Sequence, residues 1–276
     1  MSSGRADVGR ALDLLRRHSI ERDRVDWAVL SAEAHAIEDA DDAIRHVIAT
    51  LGNPHTHLIT AERAAAPPRS GPPTGQLVGT TACLRLPQTH ARHGHAYVRA
   101  GLKVLRGLIG ERPAGWVVDL RGNRGGDMHP MLTVVAPLLG EGEHGRFVGH
   151  EGESTGWGVR RRHVYNGTRK TFRLHRVPRP QHGPVALLTD GTTASSGEAV
   201  LVSFLGAPRA RSFGAPTAGF ATANQTFALP GGARLAITTA VMADRTGRTY
   251  GNAPIAPHVP ADDALTKAIE WIENQD

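Results

Sequence analysis

The sequence predicts an α/β protein, a layered core preceded by an N-terminal helical part, and three observations predict it. Short apolar runs such as Gly115–Leu120 (GWVVDL) and Pro184–Thr189 (PVALLT) have the length and continuity of strands buried on both faces. They alternate with stretches of helical spacing, the pattern of a sheet covered by helices. The composition is that of an ordinary globular chain, 276 residues with 40% apolar and 21% charged, long enough to bury a real core.

The elements follow in order. Leu12, Leu14 and Leu15 share one apolar stripe, and Trp27, Val29 and Leu30 begin another. Ala43, Ile44, Val47, Ile48 and Leu51 recur at helical intervals, so residues 1–58 read as a helical subdomain. Residues 59–76 contain Pro67, Pro68, Pro72 and Pro73 and read as a Pro-rich loop. Residues 77–276 carry the α/β texture. Strand 77–86 is followed by helix 96–109, strand 115–120 and helix 128–139. Strand 184–189 and helix 194–205 come next, then strands near 208–214, 225–229 and 233–241, and a terminal helix over 262–274. Residues 140–182 are polar, rich in arginine and histidine, and take no assignment.

The net charge is +6, with 32 lysines and arginines, but the lysines are only Lys103, Lys170 and Lys267. The arginines are scattered apart from Arg160-Arg161-Arg162, and no nucleic-acid motif accompanies them, so no nucleic-acid partner is expected. Cys83 stands alone, which excludes an intrachain disulfide. The N-terminus runs into a charged amphipathic pattern with no apolar signal-peptide core. No apolar stretch reaches the ~18 residues of a membrane span, so the expectation is a cytoplasmic protein without a membrane partner. Asn166-Gly167-Thr168 matches a glycosylation sequon, which carries no weight in that compartment.

Two segments share a design in which an apolar strand opens into a turn of small residues before a helix. In Asp119-Leu120-Arg121-Gly122-Asn123-Arg124-Gly125-Gly126, three glycines free the backbone to present N–H groups to an anion or a developing oxyanion. A plain tight turn would use the same glycines. In Thr189-Asp190-Gly191-Thr192-Thr193-Ala194-Ser195-Ser196-Gly197-Glu198, a serine on a strand-to-helix turn is placed to be a nucleophile. It is equally the start of an S-x-x-E capping box. A serine nucleophile needs a base, and Gly52-Asn53-Pro54-His55-Thr56-His57 offers two histidines in one turn. His90, His93 and His95 cluster in THARHGH, but no carboxylate flanks them and no metal is expected there.

Together, the histidine turn, DLRGN-x-GG and T-A-S-S-x-E resemble the tail-specific, or C-terminal-processing, serine peptidase family, which includes tricorn-core and nisin-resistance members. Gly214-Ala215-Pro216-Thr217-Ala218-Gly219, Leu229-Pro230-Gly231-Gly232 and Ile255-Ala256-Pro257 resemble later elements of the same family, in the right order. The resemblance implies a ClpP/crotonase-like layered core and a serine hydrolase acting on a peptide, or on a small amide or ester, without a cofactor. It implies Ser195 as nucleophile, with Ser196 as rival, and Gly125, Gly126 and the Ser196 N–H as the oxyanion hole. Many members pair the serine with a lysine that would fall where Phe220 stands here. The base implied is therefore histidine, His55 first and His57 second. His258 replaces the family's aspartate near the C-terminus, and Asp190 and Asp244 are candidates to orient the histidine. Fewer than 20 residues separate Leu58 from Leu77, which leaves no room for a PDZ domain. A hydrolase or cyclase of a biosynthetic or resistance pathway, and a non-catalytic binding member, are the competing readings.

Overall fold

A computed structural model describes residues 3–66, 70–174, 177, 178, 180 and 183–275. The chain forms two compact units. The smaller comprises Met1–Pro67, Val148–Glu153 and Thr222–Val241; the larger comprises Pro68–Phe147, Ser154–Ala221 and Met242–Asp276.

In the smaller unit, helices Ser3–His18, Trp27–Ala36 and Ala40–Leu51 form where the apolar spacing places them. Asp26 Oδ1 accepts from the Ala28 and Val29 N–H groups, and Asp39 Oδ1 from Asp42 N–H, so each of the later two helices starts on an aspartate cap. Leu15, Leu30, Ile44, Val47 and Leu51 bury their stripes against Leu229, Leu235 and Ile237. Those last residues come from far along the chain. Strand His57–Ile59 pairs antiparallel with residues 234–236, and strand Thr222–Ala228 pairs antiparallel with residues 234–241. The unit is therefore helical and β together, and residues 1–58 supply only part of it. Their helices need a sheet face to cover their apolar side, and local sequence cannot name its source.

In the larger unit, a six-stranded sheet has the order Val259–Pro260, Ala210–Gly214, Val185–Thr189, Gly115–Asp119, Thr81–Arg85, Thr74–Val78. All neighbours are parallel except the last pair, an antiparallel hairpin. The expected single strand at 77–86 is thus two, and the expected 59–76 loop contains structure. Thr60 caps a short helix, Ala61–Ala65, and Thr74 begins a strand. Alternate residues serve opposite faces. Trp116, Val118 and Leu187 pack under helices Gly94–Gly110, Met128–Leu139 and Ser196–Phe204. Val117, Ala186 and Leu188 pack under helix Ala264–Glu273. Burial on both faces is why these strands read as continuous apolar runs.

The unassigned stretch 140–182 contains an antiparallel meander, Ser154–Arg160, His163–Asn166 and Arg169–Arg173. Its first turn is Arg161-Arg162, with φ of 48° and 63°. Two left-handed residues suit a two-residue hairpin, but asparagine and glycine are the usual choices there. Arginine in that role hid the hairpin from sequence. The Asn166-Gly167-Thr168 sequon forms the second turn.

Candidate active site

Both small-residue turns leave the finishing ends of adjacent parallel strands, Gly115–Asp119 and Val185–Thr189. Asn123, fully buried, joins them. Its Nδ2 donates to the Leu86 carbonyl at 2.8 Å, its Oδ1 accepts from Gly125 N–H at 2.9 Å, and its carbonyl accepts from Ala194 N–H at 2.9 Å. Gly125 and Gly126 have φ of 98° and 108°. A Cβ on Gly125 would lie 2.9 Å from Ser195 Cβ and 3.1 Å from Ser196 N; one on Gly126 would lie 2.0 Å from the Thr89 carbonyl oxygen. Both positions demand glycine for backbone conformation and for space.

Ser195 has φ of 53° and ψ of −113°, a conformation that costs a non-glycine residue roughly 1–3 kcal/mol. It is the N-cap of helix Ser196–Phe204 and is partly exposed. Glu198 holds it there. Its Oε2 accepts from Ser195 N–H at 2.7 Å and from Phe220 N–H at 2.8 Å. Its Oε1 accepts from the Thr217 hydroxyl at 2.6 Å and from Gly219 N–H at 3.1 Å. Burial raises the Glu198 pKa, and these four donors only partly offset it. The capping box expected from S-x-x-E therefore also fastens the Thr217–Phe220 loop to the serine turn.

The neighbouring hydroxyl is differently placed. Ser196 Oγ donates to the Gly126 carbonyl at 2.9 Å, which ties the glycine turn to the helix N-terminus. The N–H of Gly125, expected at the oxyanion, donates to Asn123 Oδ1 in this conformation.

The histidine turn belongs to the smaller unit. His55 is partly buried. Its N–H donates to Asn53 Oδ1 at 2.9 Å, its carbonyl accepts from Asn224 Nδ2 at 2.8 Å, and its Nδ1 lies 2.6 Å from Thr222 Oγ1. The network continues inward. Asn53 Nδ2 donates to Glu21 Oε1 at 2.7 Å, and Thr238 Oγ1 donates to Asn224 Oδ1 at 2.8 Å. Burial, with a smaller contribution from neighbouring His57, lowers the His55 pKa to about 4. His57 is exposed, with Nδ1 2.8 Å from the His55 carbonyl oxygen.

Thr222 Oγ1 is thus a partner of the His55 ring, and sequence reading missed it. It stands 167 residues away on a strand, with no local signal to single it out. The two aspartates suggested for that role serve their own turns. Asp190 accepts from Gly122 N–H and from Thr192 N–H and hydroxyl. Asp244 accepts from Thr246 N–H and hydroxyl, Arg248 N–H and the Tyr250 hydroxyl. His258 Nδ1 accepts from Ser212 N–H at 3.1 Å and lies 2.7 Å from Ser212 Oγ, beside the short pairing of Ala210–Gly214 with Val259–Pro260. Of the THARHGH histidines, His90 caps a helical turn and His95 packs edge-on against Phe172 at 5.1 Å. Among the described residues, no group of three His, Cys, Asp or Glu side chains is arranged to hold a metal ion.

A strand, a serine turn at positive φ, a helix N-terminus and an adjoining glycine turn are the arrangement in which a serine hydroxyl can be presented as a nucleophile. Comparison with known proteins agrees. The peptidase family S41 profile matches residues 80–261. The chain is 34% identical over 203 residues to the nisin-resistance protein of Lactococcus lactis subsp. lactis, a match covering 74% of this chain and 63% of that protein. It shares its fold with a lipoprotein from Streptococcus agalactiae, at 23% identity and a TM-score of 0.82, covering 99% and 96% of the two chains. It also shares its fold with the photosystem II D1 C-terminal processing protease, at 15% identity and a TM-score of 0.68, covering 100% and 98%. The chain belongs to peptidase family S41.

Proposed function

We propose that this protein cleaves peptides or protein C-termini with Ser195 as nucleophile and His55 as general base. The observation that carries the reading is the positive-φ conformation of Ser195 at a helix N-terminus, held by Glu198. A serine strained in this way is spending stability on the direction of its hydroxyl. Ser196 is the poorer candidate, since its hydroxyl is engaged by the Gly126 carbonyl.

With Thr222 Oγ1 accepting, His55 carries its proton on Nδ1 and Nε2 is its basic atom. Ser195 Oγ attacks the scissile carbonyl while His55 takes its proton. The imidazolium then protonates the leaving amine, and water hydrolyses the acyl-enzyme by the same route. The Ser196 N–H, first in its helix, and the Gly126 N–H are the proposed oxyanion donors. A hydroxyl partner, unlike an aspartate, adds no charge to stabilise the imidazolium. This fits a lowered His55 pKa and a base that stays neutral well below pH 6.

A fluorophosphonate probe tests the nucleophile. It should label wild type and the Ser196→Ala variant but not Ser195→Ala; equal labelling of wild type and Ser195→Ala rejects the assignment. Likeness to a protein named for nisin resistance favours a second reading, hydrolysis of one small peptide in a resistance pathway. The match spans 63% of that protein, so its activity passes here only as a proposal. Turnover of a single defined peptide, with none of casein or a peptide library, would select that reading.

A further inference from the structure

The larger unit contains a cavity of about 570 Å³ away from the serine turn. Trp116, Val185 and Ala210 stand side by side on three adjacent parallel strands and line it, with Val159, Leu174 and Phe204 completing an apolar floor. The same strands run on to Asp119, Thr189 and Gly214. At about 3.3 Å per residue, their finishing ends, where the glycine and serine turns begin, lie roughly 10–13 Å away. The cavity is therefore at the opposite edge of the sheet from Ser195. Its volume is in the usual range for a small-molecule site.

Its rim is charged on one side of the ledger. Arg162, Arg209 and Arg245 line it against one acid, Glu141. That carboxylate already accepts the N–H groups of Arg161 and Arg162, at 2.8 and 3.2 Å. Arg245 is positioned by two acceptors. Its Nη2 donates to the Ser203 carbonyl at 2.6 Å and to His144 Nδ1 at 3.2 Å. His144 is 2% exposed, and burial lowers its pKa to about 4, so near neutrality it accepts from the guanidinium without repelling it. Among the described residues, no carboxylate forms an ion pair with Arg162 or Arg245. Arg245 keeps Nε and Nη1 beyond these two bonds, donors suited to a carboxylate.

The backbone decides between an acyl chain and a peptide. Trp116 N–H already donates to the Pro184 carbonyl, Val185 N–H to Arg209, and Ala210 N–H to Ala207. A peptide laid along this floor would leave its own amides without those partners, a cost that an alkyl chain does not carry. We infer that the cavity binds an elongated apolar carboxylate of the fatty-acid type, with its chain on the Trp116–Phe204 floor and its headgroup at the arginine rim.

Titration calorimetry with decanoate, below its micelle-forming concentration, tests this. Wild type and Ser195→Ala should bind it alike, and decanol should bind at least tenfold more weakly. Arg245→Gln should weaken decanoate at least tenfold, and Arg209→Gln, on an exposed loop, should weaken it several-fold if the first variant fails to fold. The inference is overturned by no heat up to ~1 mM, by equal binding of decanoate and decanol, by a folded Arg245→Gln that binds as wild type does, or by loss of binding in Ser195→Ala. A free-carboxylate peptide that binds where decanoate does not would also overturn it.

Discussion

The serine turn and the histidine turn are built by different means. Ser195 is held mostly by backbone, two strand ends, two glycines at positive φ and a helix N-terminus, with one side chain, the Glu198 carboxylate, gathering the N–H groups. His55 is held by side chains: Asn53, Thr222 and Asn224 touch it directly, and Glu21 and Thr238 hold them in turn. A backbone scaffold tolerates little, because a Cβ on Gly126 meets a carbonyl oxygen at 2.0 Å. A side-chain network can be retuned one residue at a time, and its effect is read in the pKa of His55.

The largest test of that contrast is Ser195→Ala, expected to lower kcat/KM by about 10⁴-fold or more with little change in stability. Next comes Glu198→Ala. It leaves four donors without their acceptor and should cost about 3–5 kcal/mol in urea unfolding; a loss under ~1 kcal/mol would show that the turn does not depend on it.

Acid titration ranks third. The folded pKa values of His55 and His144 are about 4, below an unfolded value near 6.5. As pH falls, the unfolded chain takes up these protons first. The stability carried by two neutral imidazoles is present above pH 6.5 and lost toward pH 4, at most about 3 kcal/mol each. Unfolding midpoints at pH 7, 5.5 and 4.5 should fall in step, and a flat profile would refute the buried-neutral description.

Thr222→Ala should reduce kcat/KM by roughly 10–100-fold with the protein folded, about 1.4–2.7 kcal/mol. Thr222→Asp places a carboxylate beside Nδ1 and should move the acid limb of the rate profile upward from about pH 4. An unmoved limb in a folded Thr222→Asp variant would remove Thr222 from its positioning role. The smallest expected change is in stability: Ser195→Gly, which loses activity as Ser195→Ala does, should stabilise the protein by about 1 kcal/mol, since glycine relieves the positive φ and still caps acceptably.

Much of the fold was legible because burial leaves a local trace. The GWVVDL and PVALLT runs, the three N-terminal stripes and the serine helix all appear close to where apolar period places them. The Arg161-Arg162 hairpin did not, because its residues lack the usual turn chemistry. The Thr74–Val78 strand lay behind a proline-rich approach and a short hairpin turn. The glycine turn was legible in type but not in detail. Three glycines announce exposed N–H groups, yet only the fold shows Asn123 Oδ1 occupying that of Gly125.

The sequence by itself determined the chemistry available: a serine before a helix, glycines beside it, and histidines in an early turn. These are local properties, set by φ, capping and residue type within a few positions. Tertiary structure decided what holds each group. It chose Thr222 over Asp190 and Asp244 beside His55, engaged Ser196 with Gly126, and built the smaller unit from residues about 170 apart. Such choices depend on which distant strand arrives alongside, and hydrogen bonds across that distance leave no period in the chain.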